Sequence, residues 1–164
     1  MIEIAKPVNG IKEAPLLRFL AAARKAAGIR GEVSVLLTSS RQMRTLNRVF
    51  RGKDKPTDVL SFPAVEPVSR KFAGDIAISV DIAGRNAKEL GHDLEAETKV
   101  LILHGLLHLA GYDHESDKGE MARRESRLRN RLGLPLSLIE RSNKPFPVSK
   151  KTKPRSSSGK RQAR

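Results

Sequence analysis

The chain contains no cysteine and no tryptophan. Without thiols there is no disulfide staple and no thiolate metal site, so any metal must be held by imidazoles or carboxylates. That composition suits a reducing, cytoplasmic setting, which is the localisation expected. Aromatic residues make up 4% of the sequence, with a single tyrosine and five phenylalanines. So small a supply excludes a broad stacking platform for single strands. Long hydrophobic runs are missing as well. The longest, "VLILHGLLHLA", falls well short of the roughly 20 apolar residues that span a bilayer, and it carries two histidines. The opening "MIEIAKPVNG" lacks the basic-then-apolar pattern of a secretory leader, so no membrane partner is expected.

Acidic residues are scarce. There are 18 Asp and Glu against 32 Lys and Arg, a net charge of +14. From Lys144 onward lie eight basic residues and no acid, and subtracting those eight from +14 leaves +6 for residues 1–143. Both parts are basic, which favours a polyanionic partner such as RNA, although a solvated basic surface accounts for composition alone equally well. Residues 144–164 have the Pro/Ser/Lys/Arg-rich character of a disordered tail, and residues 1–143 are long enough for one cored domain.

Periodicity predicts an α+β domain with about four strands and five helices. "IEIA" alternates as a short strand, and Ile11 to Ala27 is helical in composition, with Gly28 as its stop. "EVSVLLT" is β-branched. Ser39 or Ser40 then caps a helix to about Phe50, with Leu46 and Val49 on one face. "VLSFP" and "GDIAISV" read as strands joined through "EPVSRK". A helix from about Asp81 to Leu90 ends at Gly91, and Asp93 caps the long helix through the histidines. Gly111 follows that helix as its terminating residue. A last amphipathic helix, about Lys118 to Leu132, turns Met121, Leu128 and Leu132 inward.

Three of the four histidines fall within "LILHGLLHLAGYDH". His104 and His108, spaced i and i+4, share one helical face about 6 Å apart along the axis. A left-handed turn at Gly111 lets the chain bring His114 back over that face. Three neutral imidazoles would leave a coordination position open, as a catalytic zinc site requires. Zinc, one ion per chain, is the leading metal, with nickel or another transition metal as alternatives. Two unpaired imidazoles among leucines would be costly to bury, which argues against unrelated core histidines. The spacing equals that of the metzincin signature, but Gly105 stands where those peptidases carry their glutamate base. Peptide hydrolysis is thereby demoted.

"HGLLHLAGYDH" resembles the signature of the YbeY family of bacterial metal-dependent endoribonucleases. "LNRVFRGKDKPTDVLSFP" (46–63) and "GDIAIS" (74–79) are similar to the family's other two blocks. The resemblance covers roughly residues 1–140. It implies a mixed, zincin-like metal-hydrolase fold, metal ligation by His104, His108 and His114, and a functional arginine at Arg51. It further implies single-strand-specific cleavage in maturation of the 3′ end of small-subunit rRNA and in ribosome quality control. The implied partners are rRNA, the ribosomal small subunit, a ribosomal protein and an assembly GTPase. Two other readings stay open, a non-enzymatic ribosome assembly factor with a structural metal, and another metal-dependent hydrolase on the same histidines.

Among the remaining residues, the planar guanidinium of Arg51 suits a phosphodiester, and Lys53 and Lys55 extend an anionic track. Thr57, Asp58 and Ser61 read as loop-bracing residues. Asp113 is a candidate to orient a ligand imidazole, and Tyr112 to pack or to donate to substrate. Asp75, at a strand start, is either a neighbour of the site or a turn residue. His92 reads as a surface residue, and no general base is evident.

Overall fold

A computed structural model describes residues 1–5, 8–65, 71–135 and 139–140. Glu66 to Arg70 of the "EPVSRK" connection and the basic tail lie outside the described residues. The element order is β1 (Ile2–Ile4), α1 (Glu13–Ala26), β2 (Glu32–Thr38), α2 (Ser40–Arg51), β3 (Val59–Pro63), β4 (Phe72–Ser79), α3 (Val80–Leu90), α4 (Leu94–Leu109) and α5 (Glu120–Arg131). The expected α+β architecture is present. The sheet order is β1-β2-β4-β3, with β1, β2 and β4 parallel and β3 antiparallel to β4. The helices provide the crossovers that parallel neighbours need.

Strand alternation divides the sheet into two faces. Val33, Val35 and Leu37 of β2, with Ile76 and Ile78 of β4, turn into the main core. Helix α4 lies on that face and packs against α1, α3, α5, β3 and β4. Val100 to Leu103, Leu106 and Leu107 are all buried, so α4 is apolar on nearly every side, as an enclosed helix requires. The histidines therefore stand at one end of the most enclosed helix in the fold.

Helix α2 packs on the other face, where Met43 meets Leu60 and Ala77. Its phase departs from the sequence expectation. Val49 is 65% exposed, and the buried positions are Met43 and Asn47. The cause is polar: Asn47 Nδ2 donates to the Lys55 carbonyl at 2.8 Å and ties the following loop to the helix. His92 departs as well. It is half-buried, and its Nε2 lies 2.6 Å from the fully buried Glu97 carboxylate.

Both ends of α4 are locally encoded. Asp93 accepts from the Ala96 amide at 2.7 Å. At the other end the Tyr112 amide reaches the Leu107 carbonyl and the Gly111 amide the His108 carbonyl, both at 3.0 Å. That reciprocal pair turns the chain at Gly111, whose φ of +97° is open to glycine without strain. Removing the N-cap in Asp93→Ala should lower the unfolding free energy by about 1 kcal/mol in urea titration. An unchanged midpoint and slope would show that the cap contributes nothing.

Candidate metal centre

His104 and His108 project from successive turns of α4, with ring centroids 4.8 Å apart. The turn at Gly111 brings His114 to 5.3 Å and 5.4 Å from these rings. A second cap holds that turn in place: Asp113 accepts from the Glu115 amide at 3.1 Å and the Ser116 hydroxyl at 2.9 Å. Those two donors hold the Asp113 carboxyl below the usual carboxylate range. One ring nitrogen from each histidine lies within 4.8 Å of the others, and burial falls from His104 through His108 to the exposed His114.

The hydrogen bonds fix which nitrogens face inward. His108 Nδ1 lies 3.0 Å from the Tyr112 carbonyl oxygen. A carbonyl only accepts, so Nδ1 carries hydrogen and Nε2 presents its lone pair. His104 Nδ1 lies 2.8 Å from Glu125 Oε2, which by the same logic leaves a lone pair on His104 Nε2. These two Nε2 atoms are 3.2 Å apart. At that separation the two nitrogens can share a single proton as an N–H···N bond or, both neutral, face one cation. Nitrogens about 2.0–2.1 Å from a tetrahedral zinc ion lie roughly 3.3–3.4 Å from one another, close to the separation present. Burial, and next the neighbouring imidazoles, pushes His108 below the ordinary histidine pKa, although the Tyr112 carbonyl opposes this. A neutral imidazole is the form that ligates metal. The three ring nitrogens, spread over up to 4.8 Å, could hold a single divalent ion once His114 draws in, with one side open to the cleft.

The cleft over the histidines, about 750 Å³, is lined also by Arg51, Lys53, Lys55, Tyr112 and Asp113. Arg51 Nη2 donates to the Ser61 carbonyl at 3.2 Å, and Ser61 Oγ donates to the Gly105 carbonyl at 3.2 Å. This chain links the guanidinium through β3 to the histidine helix. Asp58 also lines the cleft, where burial raises its pKa, and its Oδ1 accepts from the Val59 amide at 2.8 Å.

Asp75 lies elsewhere. It lines a separate groove of about 660 Å³ on the opposite side of the sheet, with Phe50, Phe62 and Phe72. Alternation along β4 is the reason, since Ile76 next to it points into the core. Asp113 borders the cleft, but the ring Nδ1 atoms of His104 and His108 meet Glu125 and the Tyr112 carbonyl instead. Glu125 is the residue that sequence reasoning missed. Its signal was an acid in phase with the inward Met121 and Leu128. Gly105 also gains a reason: a Cβ there would come within 2.9 Å of Ile76 Cγ2 and 3.1 Å of Ser61 Oγ. The position faces the sheet, so a peptidase glutamate has no room there.

Glu125 holds the buried ring by a charge-assisted bond, and such partners typically tune metal affinity 10- to 100-fold. Glu125→Gln should therefore weaken zinc binding by about that factor in competition with a chelating dye. Undiminished affinity in a folded variant would deny the carboxylate that role.

Comparison with known proteins agrees with this geometry. The family described as endoribonuclease YbeY matches residues 10–133. The chain is similar to endoribonuclease YbeY of Koribacter versatilis, with 59% identity over 155 residues, covering 94% of this chain and all of that one. It is also similar to endoribonuclease YbeY of Solibacter usitatus, 48% identical over 124 residues, covering 76% of this chain and 82% of that one. A solution structure of a Thermotoga maritima protein, 32% identical, covers 90% of this chain and 99% of its own with a TM-score of 0.53. The histidines, the sheet that backs them and these matches agree, and the chain belongs to the YbeY endoribonuclease family.

Proposed function

We propose that this chain is a metal-dependent endoribonuclease that cuts single-stranded RNA, with the 3′ end of small-subunit rRNA as its target in ribosome maturation. The observation that carries the reading is the convergence of three imidazoles in the same cleft as Arg51. His104, His108 and His114 would hold the ion, zinc being the leading candidate. When bound, it would supply Lewis-acid stabilisation of charge developing on the phosphoryl oxygens.

The chain's own groups divide the remaining work. Glu125 and the Tyr112 carbonyl keep the first two rings turned so that Nε2 faces the cleft. Arg51 spends one N–H on the Ser61 carbonyl, which fixes the guanidinium beside the site and leaves four donors for a nonbridging phosphate oxygen. Lys53 and Lys55 add positive charge along the same wall. Attack by the ribose 2′-OH would confine the activity to RNA, whereas attack by water would not.

A cleft that reaches an exposed third ligand favours catalysis over a closed structural site, which weighs against a purely non-enzymatic assembly factor. The packing at Gly105 weighs against a peptidase. The rRNA target, the cytoplasmic setting and the ribosomal-protein and GTPase partners rest on family membership and on the net charge of +14. Among the described residues no helix is long and apolar enough to cross a membrane.

Removing a donor aimed at developing charge costs about 10²- to 10³-fold in rate. Arg51→Ala should lose that much cleavage of a single-stranded RNA while keeping its metal content, and Arg51→Lys should recover little of it. Near-normal cleavage by Arg51→Ala would remove the guanidinium from the mechanism.

A further inference from the structure

Helix α2 carries four arginines and no acid. Arg41, Arg44, Arg48 and Arg51 are spaced i, i+3, i+7 and i+10. At 100° and 1.5 Å per residue they fall within an arc of about 80° and form a ridge about 15 Å long. All four are exposed, and the ridge ends at Arg51, inside the histidine cleft.

Helix physics alone would not select this arrangement. Cations suit the last turn of a helix, which accounts for Arg48 and Arg51, but they are disfavoured in the first, where Arg41 stands. Like charges three and four apart repel as well. Two carboxylates among the described residues meet the helix, and Asp81, which accepts from the Ser40 amide at 2.6 Å beside Arg41, pairs with none of the arginines. Asp54 takes Arg44 bidentately, Nε to Oδ1 at 2.9 Å and Nη2 to Oδ2 at 3.0 Å, and lies 3.9 Å from Arg48. That grip uses two of the five donors of Arg44 and orients the remainder outward. Arg41 forms no ion pair among the described residues. Four exposed arginines on one face with a single ion-pairing carboxylate among the described residues leave a surplus of positive charge that suits an anionic ligand outside the fold.

We propose that the outward face of α2 is a phosphate track, in which Arg41, Arg44 and Arg48 carry the backbone of the RNA strand into the cleft at Arg51. The inference rests on the RNA-cleaving reading and names the surface by which that substrate is held. Guanidinium groups a few ångströms apart along a straight line suit successive phosphates, and with no aromatic side chain interleaved among them the contact would be independent of base sequence.

The test is salt-dependent binding of a fluorescein-labelled single-stranded RNA of mixed sequence to the full chain. Each phosphate contact on a single strand contributes about 0.7 to the slope of log affinity against log salt. The triple variant Arg41→Gln, Arg44→Gln, Arg48→Gln should therefore lose about 2 from the slope. The control is Arg123→Gln, Arg127→Gln, Arg131→Gln, which removes equal charge from the exposed face of α5, away from the cleft lining. It should change the slope by less than about 0.7, the value of one contact. Equal losses in the two triples, or an unchanged slope in the α2 triple, would overturn the track. Should the α2 triple not fold, Arg41→Gln alone, which breaks no ion pair among the described residues, should lose about 0.7, and no loss there would overturn the track as well. Wild-type chain that neither binds nor cleaves RNA would instead sink the RNA-cleaving reading.

Discussion

Two imidazole nitrogens stand 3.2 Å apart, each turned toward the other because an acceptor on the far side of its ring takes the remaining hydrogen. Neither ring can relieve the contact by changing tautomer without giving up a bond to Glu125 or to the Tyr112 carbonyl. The arrangement could hold a cation. Other features of the local fold serve to keep it so. Burial of α4 against α1, α3, α5 and the sheet fixes the two ring positions, and the closing turn at Gly111 delivers both the Tyr112 carbonyl and, two residues later, His114.

The cleft acquires its chemistry from elements far apart in sequence. Arg51 closes α2, Ser61 lies in β3 and Gly105 in α4, yet two hydrogen bonds join them in line. Gly105 is part of that join. Its lack of a side chain lets α4 approach β4 at Ile76 and lets its carbonyl accept from Ser61. The same close approach separates this centre from the metzincin peptidases with which it shares histidine spacing. A small residue at one helical position thus sets the packing and leaves no space for the glutamate of those peptidases.

What the sequence made legible was local. Histidines four apart on a helix, Asp93 as a cap and Gly111 as a terminator each depend on a few neighbouring residues, and all stand where spacing placed them. The α+β character followed from the alternation in "EVSVLLT" and "GDIAISV". Long-range partners were less visible. Glu125 is 21 positions from His104 in the sequence, and only its inward phase on α5 hinted at a buried role. Asp113 adjoins His114 in the chain but spends its carboxylate on the turn, while alternation along β4 sends Asp75 to the other side of the sheet. Leu46 and Val49 read as one face from their spacing, yet Val49 is exposed because the phase of α2 follows Met43 and the amide of Asn47. Sequence proximity and residue type are poor guides wherever a hydrogen bond sets direction.

A metal held jointly by the three histidines and required for RNA cleavage is the proposal on which the rest depends. It is tested most directly by elemental analysis of purified wild-type and His114→Ala chains, each assayed in parallel on a single-stranded RNA. One zinc or comparable ion per wild-type chain is expected, with metal occupancy and cleavage both reduced in a variant that still folds. Wild-type chain that is metal-free under conditions preserving loosely held ions, or cleavage by His114→Ala at the wild-type rate, would contradict it.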